Sequence, residues 1–404
     1  MIPVSYYRDR IRAVDAKTEA QKIAFSPLTF QAARALLELG ILRRVSDSGD
    51  AGLSREEIAA QCGIPVYGAG VLGEIALGMG ILKLRGEASA EPAAEPLAES
   101  AAKPAAKPPA AGRPESEPEP AVPAGPPVQE RFVLGKIGWF LLEDDLTRVN
   151  FNFTNDICYQ GAFVLTESVR TGKPAGLRVF GDNWATIYEA LSSLPGRARK
   201  SWFEFDHFYS DIAFPGALPI VFGGASGKAP GTLLDIGGNT AKWAISCCRY
   251  DSAVSVTIAD LPGQTAVAEE NARVAGFADR INVYPCDMLD GKTALPAGMD
   301  AVWMSQFLDC FSLEQITAIL AKIRAAVTPQ ADIYVLEPFW DMQRFEGAAF
   351  SLQASSLYFA CMANGNSKMY RFGELTAAVE KAGFELKTAH HDLGSNSYSL
   401  LRFR

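Results

Sequence analysis

The sequence predicts an α/β protein built on an open, mostly parallel sheet of seven strands, preceded by a smaller helical module with a β wing. Three observations carry that expectation. Leu233-Leu234-Asp235-Ile236 reads as a buried strand running into the glycine turn Gly237-Gly238, and after a helix-length gap Val254–Asp260 reads as a second buried strand ending on an acid. From there to the C-terminus, strand-like and helix-like segments alternate, as they do when crossover helices join parallel strands. Upstream of this region, two short alternating segments, 81–84 and 131–134, flank a stretch almost devoid of bulky apolar residues.

The N-terminal elements follow from local signals. Gln31–Ile41 has helical apolar spacing with Gly40 as its stop, Ser54 with Glu57 forms a capping box opening a short helix, and a third helix falls near 71–79. Residues 81–84 and 131–134 pair as a hairpin, so residues 1–150 make a winged-helix domain. Its insertion at about 88–128, rich in Ala, Pro and Glu, cannot bury enough surface to order itself and is expected to be a mobile tether at the hairpin tip. A winged helix serves either DNA binding or dimerisation. Glu56, Glu57 and Glu74 face few cations here, so a homodimer is expected and nucleic acid is not.

Residues 151–222 read as a helical connector rich in aromatic residues that contributes to a substrate pocket. Residues 223–404 form the sheet domain, with strands near 233–236, 255–259, 281–285, 300–304, 332–337, 385–391 and 397–403, and helices at 264–275, 313–326 and 372–382. The last two strands form an antiparallel hairpin.

Composition narrows the function. The 404 residues are 48% hydrophobic and 21% charged, with a net charge of -8, and the isoelectric point is near 5.2, a balance that disfavours a phosphate-backbone partner. The seven cysteines show no metal-ligand spacing and are expected to be reduced thiols, without zinc or disulfides. No segment approaches the roughly 18 apolar residues of a membrane span, and Met1–Ser5 lacks the charged and apolar regions of a signal peptide. The expectation is a cytoplasmic protein without a membrane partner.

The strand tips suggest the ligand. A dinucleotide turn needs GxGxxG, and Gly237-Gly238-Asn239-Thr240-Ala241 does not supply it. It does supply Asp235 just before a small-residue turn, suited to the ammonium end of a methionine-like ligand, and Asp260 at the next strand tip, suited to the two ribose hydroxyls. Asp287 and Met288 after the third strand suit an adenine, the acid taking the exocyclic amine and the sulfur covering the ring. Leu261 and Ser305 join Asp235, Gly237, Gly238, Asp260, Asp287 and Met288 as candidate contacts. S-adenosylmethionine fits this arrangement better than NAD, and no metal is expected.

Asp235-Ile236-Gly237-Gly238, Asp260-Leu261-Pro262, Cys286-Asp287-Met288, Glu167–Gly172 and Asp206-His207 together resemble the motifs of the plant-type and bacterial small-molecule S-adenosylmethionine-dependent O-methyltransferases. That resemblance covers nearly the whole chain apart from the tether. It implies a Rossmann-like class I methyltransferase domain, a dimer through the winged helix, and methyl transfer to an oxygen of a small acceptor. Asp309 stands where the family has its histidine base. Glu337 matches the acid that orients that histidine, and Met369 replaces a second supporting acid. A phenol near pKa 10 and an ordinary aspartate near 3.9 differ by about 6 units, so proton transfer to Asp309 would be uphill by about 8 kcal/mol. Three ways out remain open: a more acidic hydroxyl or a carboxyl acceptor, a coupled Asp309–Glu337 pair with a raised pKa, or no methyl transfer at all.

The expected catalytic set is therefore Asp309, Glu337 and His207, the histidine binding substrate, substituting as base or merely packing. Phe163, Trp184, Tyr188, Phe205, Phe359, Met362 and Asn364 are the expected substrate wall, which favours a flat aromatic or polyketide-like acceptor. Two rival readings are an enzyme that binds the cofactor but does other chemistry, and a non-catalytic regulator that binds it.

Overall fold

The computed structural model describes residues 6–85, 130–223, 229–395 and 397–404. They fall into two compact units, one of residues 11–148 and one of 149–404 together with the N-terminal stretch up to Arg10. The proposed tether at 88–128 lies outside the described residues.

The first unit holds six whole helices and one hairpin: α1 (Ala13–Ala24), α2 (Ser26–Glu38), α3 (Ile41–Asp47), α4 (Arg55–Cys62), α5 (Val66–Gly78), β1 (Leu82–Leu84), β2 (Phe132–Leu134) and α6 (Lys136–Glu143). Sequence reasoning missed α1, α3 and α6, and α2 and α5 begin five residues earlier than expected. Gly40 adopts the left-handed conformation, φ 71°, and leads directly into α3. The capping box is present, with Ser54 Oγ accepting from the Glu57 amide and Glu57 accepting from the Ser54 amide. β1 and β2 pair antiparallel, Leu82 opposite Leu134. Phe132 is buried, and its ring lies where a Cβ on Gly73 would be only 2.7 Å away, so the hairpin closes on α5 at a position that accepts no side chain.

The second unit begins within α7 (Asp145–Phe153). Four further helices, α8 (Leu165–Thr171), α9 (Ile187–Ala190), α10 (Gly196–Ser210) and α11 (Phe214–Phe222), precede the sheet. The sheet holds β3 (Thr232–Ile236), β4 (Ser255–Asp260), β5 (Ile281–Pro285), β6 (Ala301–Ser305), β7 (Asp332–Glu337), β8 (Leu386–Leu393) and β9 (Tyr398–Phe403) in the order β5-β4-β3-β6-β7-β9-β8. The first five are parallel and β9 runs antiparallel to both neighbours. All seven strands stand within a few residues of their expected positions, because each is an apolar run between turn signals.

Alternation splits the sheet's side chains between two layers. Leu234, Ile236, Val302, Met304 and Val335 join Ile319 and Ile323 of the helix Leu313–Ala326 and Val379 of the helix Phe372–Lys381 in one core. On the opposite face Trp303 stacks on Trp243 of α12 (Lys242–Tyr250), with ring centroids 3.7 Å apart and planes 10° from parallel. The strand order reverses at β3, since β4 and β5 lie on one side of it and β6 on the other. A crevice therefore opens at the carboxyl ends of β3 and β6, the place where open parallel sheets bind ligands. No single helix among the described residues is long and apolar enough to cross a membrane.

Candidate active site

A cavity of about 510 Å³ occupies that crevice, wholly within the second unit. Each of the eight residues expected at the nucleoside, Asp235, Gly237, Gly238, Asp260, Leu261, Asp287, Met288 and Ser305, lines it. Topology brings them together, because β3, β4 and β5 are neighbours and end on one edge. A Cβ on Gly238 would stand 2.7 Å from Asp235 Oδ2, and one on Gly237, where φ is 74°, would run into the Phe307 ring. The turn is thus free of side chains where a ligand must approach.

The acids are unusual in their surroundings. Burial, with Asp260 adding its charge, lifts the Asp235 pKa to about 8. Its Oδ2 is buried without a hydrogen-bond partner. Burial raises Asp260 to about 6, although Oδ2 accepts from the Asn239 amide at 2.8 Å and Oδ1 from the Leu261 amide at 2.7 Å. Buried carboxylates of this kind call for a ligand that brings positive charge and hydroxyl donors. S-adenosylmethionine carries both.

Beside the turn, Asn239 donates to Asp206 Oδ2 at 2.8 Å and accepts from Gln264 at 3.0 Å. Burial raises Asp206, helped by Asp211 and opposed by His207 and the Asn239 hydrogen bond. His207 lines the cavity on this side: Nε2 is 3.2 Å from Thr240 Oγ1 and Nδ1 is 3.6 Å from Asp211 Oδ1. Lys242, at the start of α12, pairs with Asp211 at 2.8 Å. Both imidazole nitrogens thus have polar neighbours.

The proposed catalytic acids lie deeper than expected. Asp309 and Glu337 are only 4% and 2% exposed and neither lines the cavity. Glu337 Oε1 accepts from the Phe307 amide at 3.1 Å and the Leu308 amide at 2.9 Å, which fixes the short turn Leu308–Cys310. Its Oε2 is buried without a partner. Burial lifts Asp309 to about 7, and burial plus the Asp309 charge pushes Glu337 well above the carboxylate range. Cys310 stands between Asp309 and the cavity. It lines the wall, and its one thiol proton can be donated to Asp309 Oδ1 at 3.5 Å or to the Gln306 carbonyl at 3.7 Å.

The expected substrate wall is only partly correct. Tyr188 and Asn364 line the cavity, but Phe163, Trp184, Phe205, Phe359 and Met362 do not. Phe163 is 81% exposed. Phe205 stacks on Phe153 at 3.9 Å, while Phe359 and Met362 are buried in a wide helical turn, Phe359–Ala363. The Trp184 ring packs over Gly181, 3.1 Å from where a Cβ there would stand. The buried ones, Phe205, Phe359 and Met362, build the helical layer and leave the wall to others. Asn364 is also a turn organiser, donating to the Cys310 carbonyl and to Ser367 Oγ. Sequence reasoning missed Trp202, Trp243, Trp303, Gln306, Cys310 and Phe311. Two signals were available: Gln306 and Cys310 follow the tip of β6, and Trp303 lies beside Asp235 in the sheet register. Gln306 holds φ 45°, sparsely populated for a non-glycine residue, and its Oε1 has no partner.

Residues 17–88 match the Dimerisation2-like domain and residues 228–385 match the O-methyltransferase domain, together more than half of the chain. The chain belongs to the O-methyltransferase family. Over 237 residues it is 26% identical to the L-tyrosine C(3)-methyltransferase of Streptomyces lavendulae, covering 58% of this chain and 62% of that relative. Over 105 residues it is 31% identical to the 3-hydroxy-5-methyl-1-naphthoate 3-O-methyltransferase of Streptomyces sahachiroi, covering 26% and 30%. The chain thus spans less than two thirds of the length of either curated relative. Among solved structures, mitomycin 7-O-methyltransferase MmcR superposes with a TM-score of 0.64 at 16% identity, covering 97% of this chain and 98% of that one, which supports the fold.

Proposed function

We propose that this family member is an S-adenosylmethionine-dependent methyltransferase acting on a hydroxyl oxygen of a small, flat aromatic acceptor. The observation that carries the reading is Asp235: a buried carboxylate with an unpartnered oxygen, in one cavity with Asp260 and Asp287. When bound, S-adenosylmethionine supplies a methyl group made electrophilic by the sulfonium. Asp235 would face its ammonium end, Asp260 would accept the ribose hydroxyls, Asp287 and Met288 would bracket the base, and the start of α12 with Thr240 and His207 would receive the rest of the amino-acid end.

Asp309 takes the acceptor proton, passed through the Cys310 thiol, while Glu337 holds the turn that carries both. With Asp309 at about 7, a phenol near 10 is mismatched by about 3 units, so the transfer costs about 4 kcal/mol, half the figure for an ordinary aspartate. Positioning the acceptor beside the electrophile supplies much of the remaining rate.

The similarity to a tyrosine C(3)-methyltransferase favours a second reading, methylation at the ring carbon beside a phenol, for which Asp309 serves equally. The N-terminal unit supports a homodimer: α1 buries none of its residues, and Ile23, Leu28 and Tyr67 are strongly exposed. Calorimetry with S-adenosylhomocysteine, followed by mass analysis of a phenol panel, tests the proposal. Cofactor uptake with formation of S-adenosylhomocysteine in step with a methylated product supports it. No uptake by the folded protein overturns it, and nuclear magnetic resonance of the product separates oxygen from carbon methylation.

A further inference from the structure

Charge around the cavity is lopsided. Glu189, Asp206, Asp211, Asp260 and Asp287 line it, with Asp235 held largely protonated at neutral pH by burial, against Lys242 and His207 as the basic side chains and no arginine among the described residues. Lys242 is already committed to Asp211 at 2.8 Å and sits beside the glycine turn, where the cofactor's own carboxylate would compete for it. Away from the turn the wall is Tyr188, Trp202, Cys310, Phe311, Gln315 and Asn364, without a cation. Directly behind Cys310 are the two buried acids Asp309 and Glu337.

The polar groups that face the acceptor end fit an uncharged oxygen. The Tyr188 hydroxyl is buried beside the Cys310 thiol and can turn its donor to such an oxygen. An acceptor bearing a carboxylate would give up its hydration, find no fixed positive charge, and stand near an acid that must ionise to accept a proton. An ammonium group on the acceptor would meet the opposite situation.

Resting on the methyl-transfer reading and deepening it, we propose that the acceptor is an uncharged or cationic phenol and that this cavity rejects aromatic carboxylates. Its acceptor class then differs from that in the name of the naphthoate relative. It also favours the hydroxyl over the carboxyl group as the methylated function.

The test is calorimetric, on the full chain preloaded with S-adenosylhomocysteine, using two matched pairs: a naphthol against the corresponding hydroxynaphthoate, and tyramine against hydroxyphenylpropionate. The expected result is that the naphthol and tyramine each bind at least about tenfold more tightly than their carboxylate counterparts. Asn366→Arg, at the exposed rim of the cavity, is expected to narrow the gap by strengthening hydroxynaphthoate binding, a gain that misfolding cannot produce. Carboxylates that bind as well as their counterparts, pairs in which neither member binds included, or a gap unchanged by Asn366→Arg, overturn the proposal. If S-adenosylhomocysteine itself does not bind, the methyl-transfer reading falls instead, and the ranking is then measured on the ligand-free protein.

Discussion

At the nucleoside end of the cavity, polar groups are set by the sheet: Asp235 lies in β3, Asp260 closes β4 and takes two backbone amides, and Asp287 follows β5. At the acceptor end they are set by turns and by helices, with Cys310 on a three-residue turn held by Glu337 and Tyr188 on the four-residue α9. Strand ends are fixed once strand order is fixed. Side chains on short helices go wherever packing sends them, so the same chain specifies one end of its site by topology and the other by the fit of its core.

The largest effect should come from breaking the sheet-held end. Asp260→Ala removes an acid placed for two hydroxyls and is expected to weaken S-adenosylhomocysteine binding by about 100-fold, read by calorimetry. At the other end, Asp309→Asn should lower kcat by about tenfold or more while cofactor affinity stays within about twofold. The base must be ionised to work, so kcat at saturating cofactor should rise as pH climbs through about 7 in the parent protein and lose that rise in the variant. Cys310→Ala should share the defect and Cys310→Ser should recover most of the rate. A Cys310→Ala enzyme with parental kcat and pH profile would remove the thiol from the path.

A smaller effect concerns stability. Asp235 titrates near 8 in the folded, ligand-free protein, above its ordinary 3.8, so the folded state binds more protons between these values. Its contribution is full below about 4 and is lost as pH rises through about 8. The Tm of the ligand-free protein should therefore fall across that window, and Asp235→Asn should flatten the fall and raise Tm at pH 8, as measured by calorimetric scans. The smallest effect sharpens the contrast between aromatic residues: Phe311→Ala should raise the acceptor KM by about fivefold, and Phe163→Ala should change it by less than about twofold.

Those aromatic residues also mark where the sequence stopped being legible. Strand positions, and eight residues that share one cavity, could be read because period, glycine turn and terminal acid are local signals that sheet topology then assembles. Phe163 and Phe205 look alike as sequence, yet one is exposed and the other stacks on Phe153, a distinction made only by the packing of α7 against α10. The resemblance singled out Asp309 but could not show that it is recessed behind Cys310, because the depth of a side chain depends on the turn that Glu337 pins. Trp243 and Trp303 were passed over because tryptophan in an amphipathic helix or a buried strand ordinarily means core.

Those two tryptophans give the molecule a property of its own. Their rings are stacked nearly parallel at 3.7 Å, both border the cavity, and both indole nitrogens are buried without a partner. Two chromophores held so close share their excitation, and an occupant that accepts a bond from either N–H would tilt or polarise one of them. The resulting change in the exciton signal of the circular dichroism spectrum makes this cavity its own spectroscopic probe, able to register an incoming molecule without a label and before any bond is made or broken.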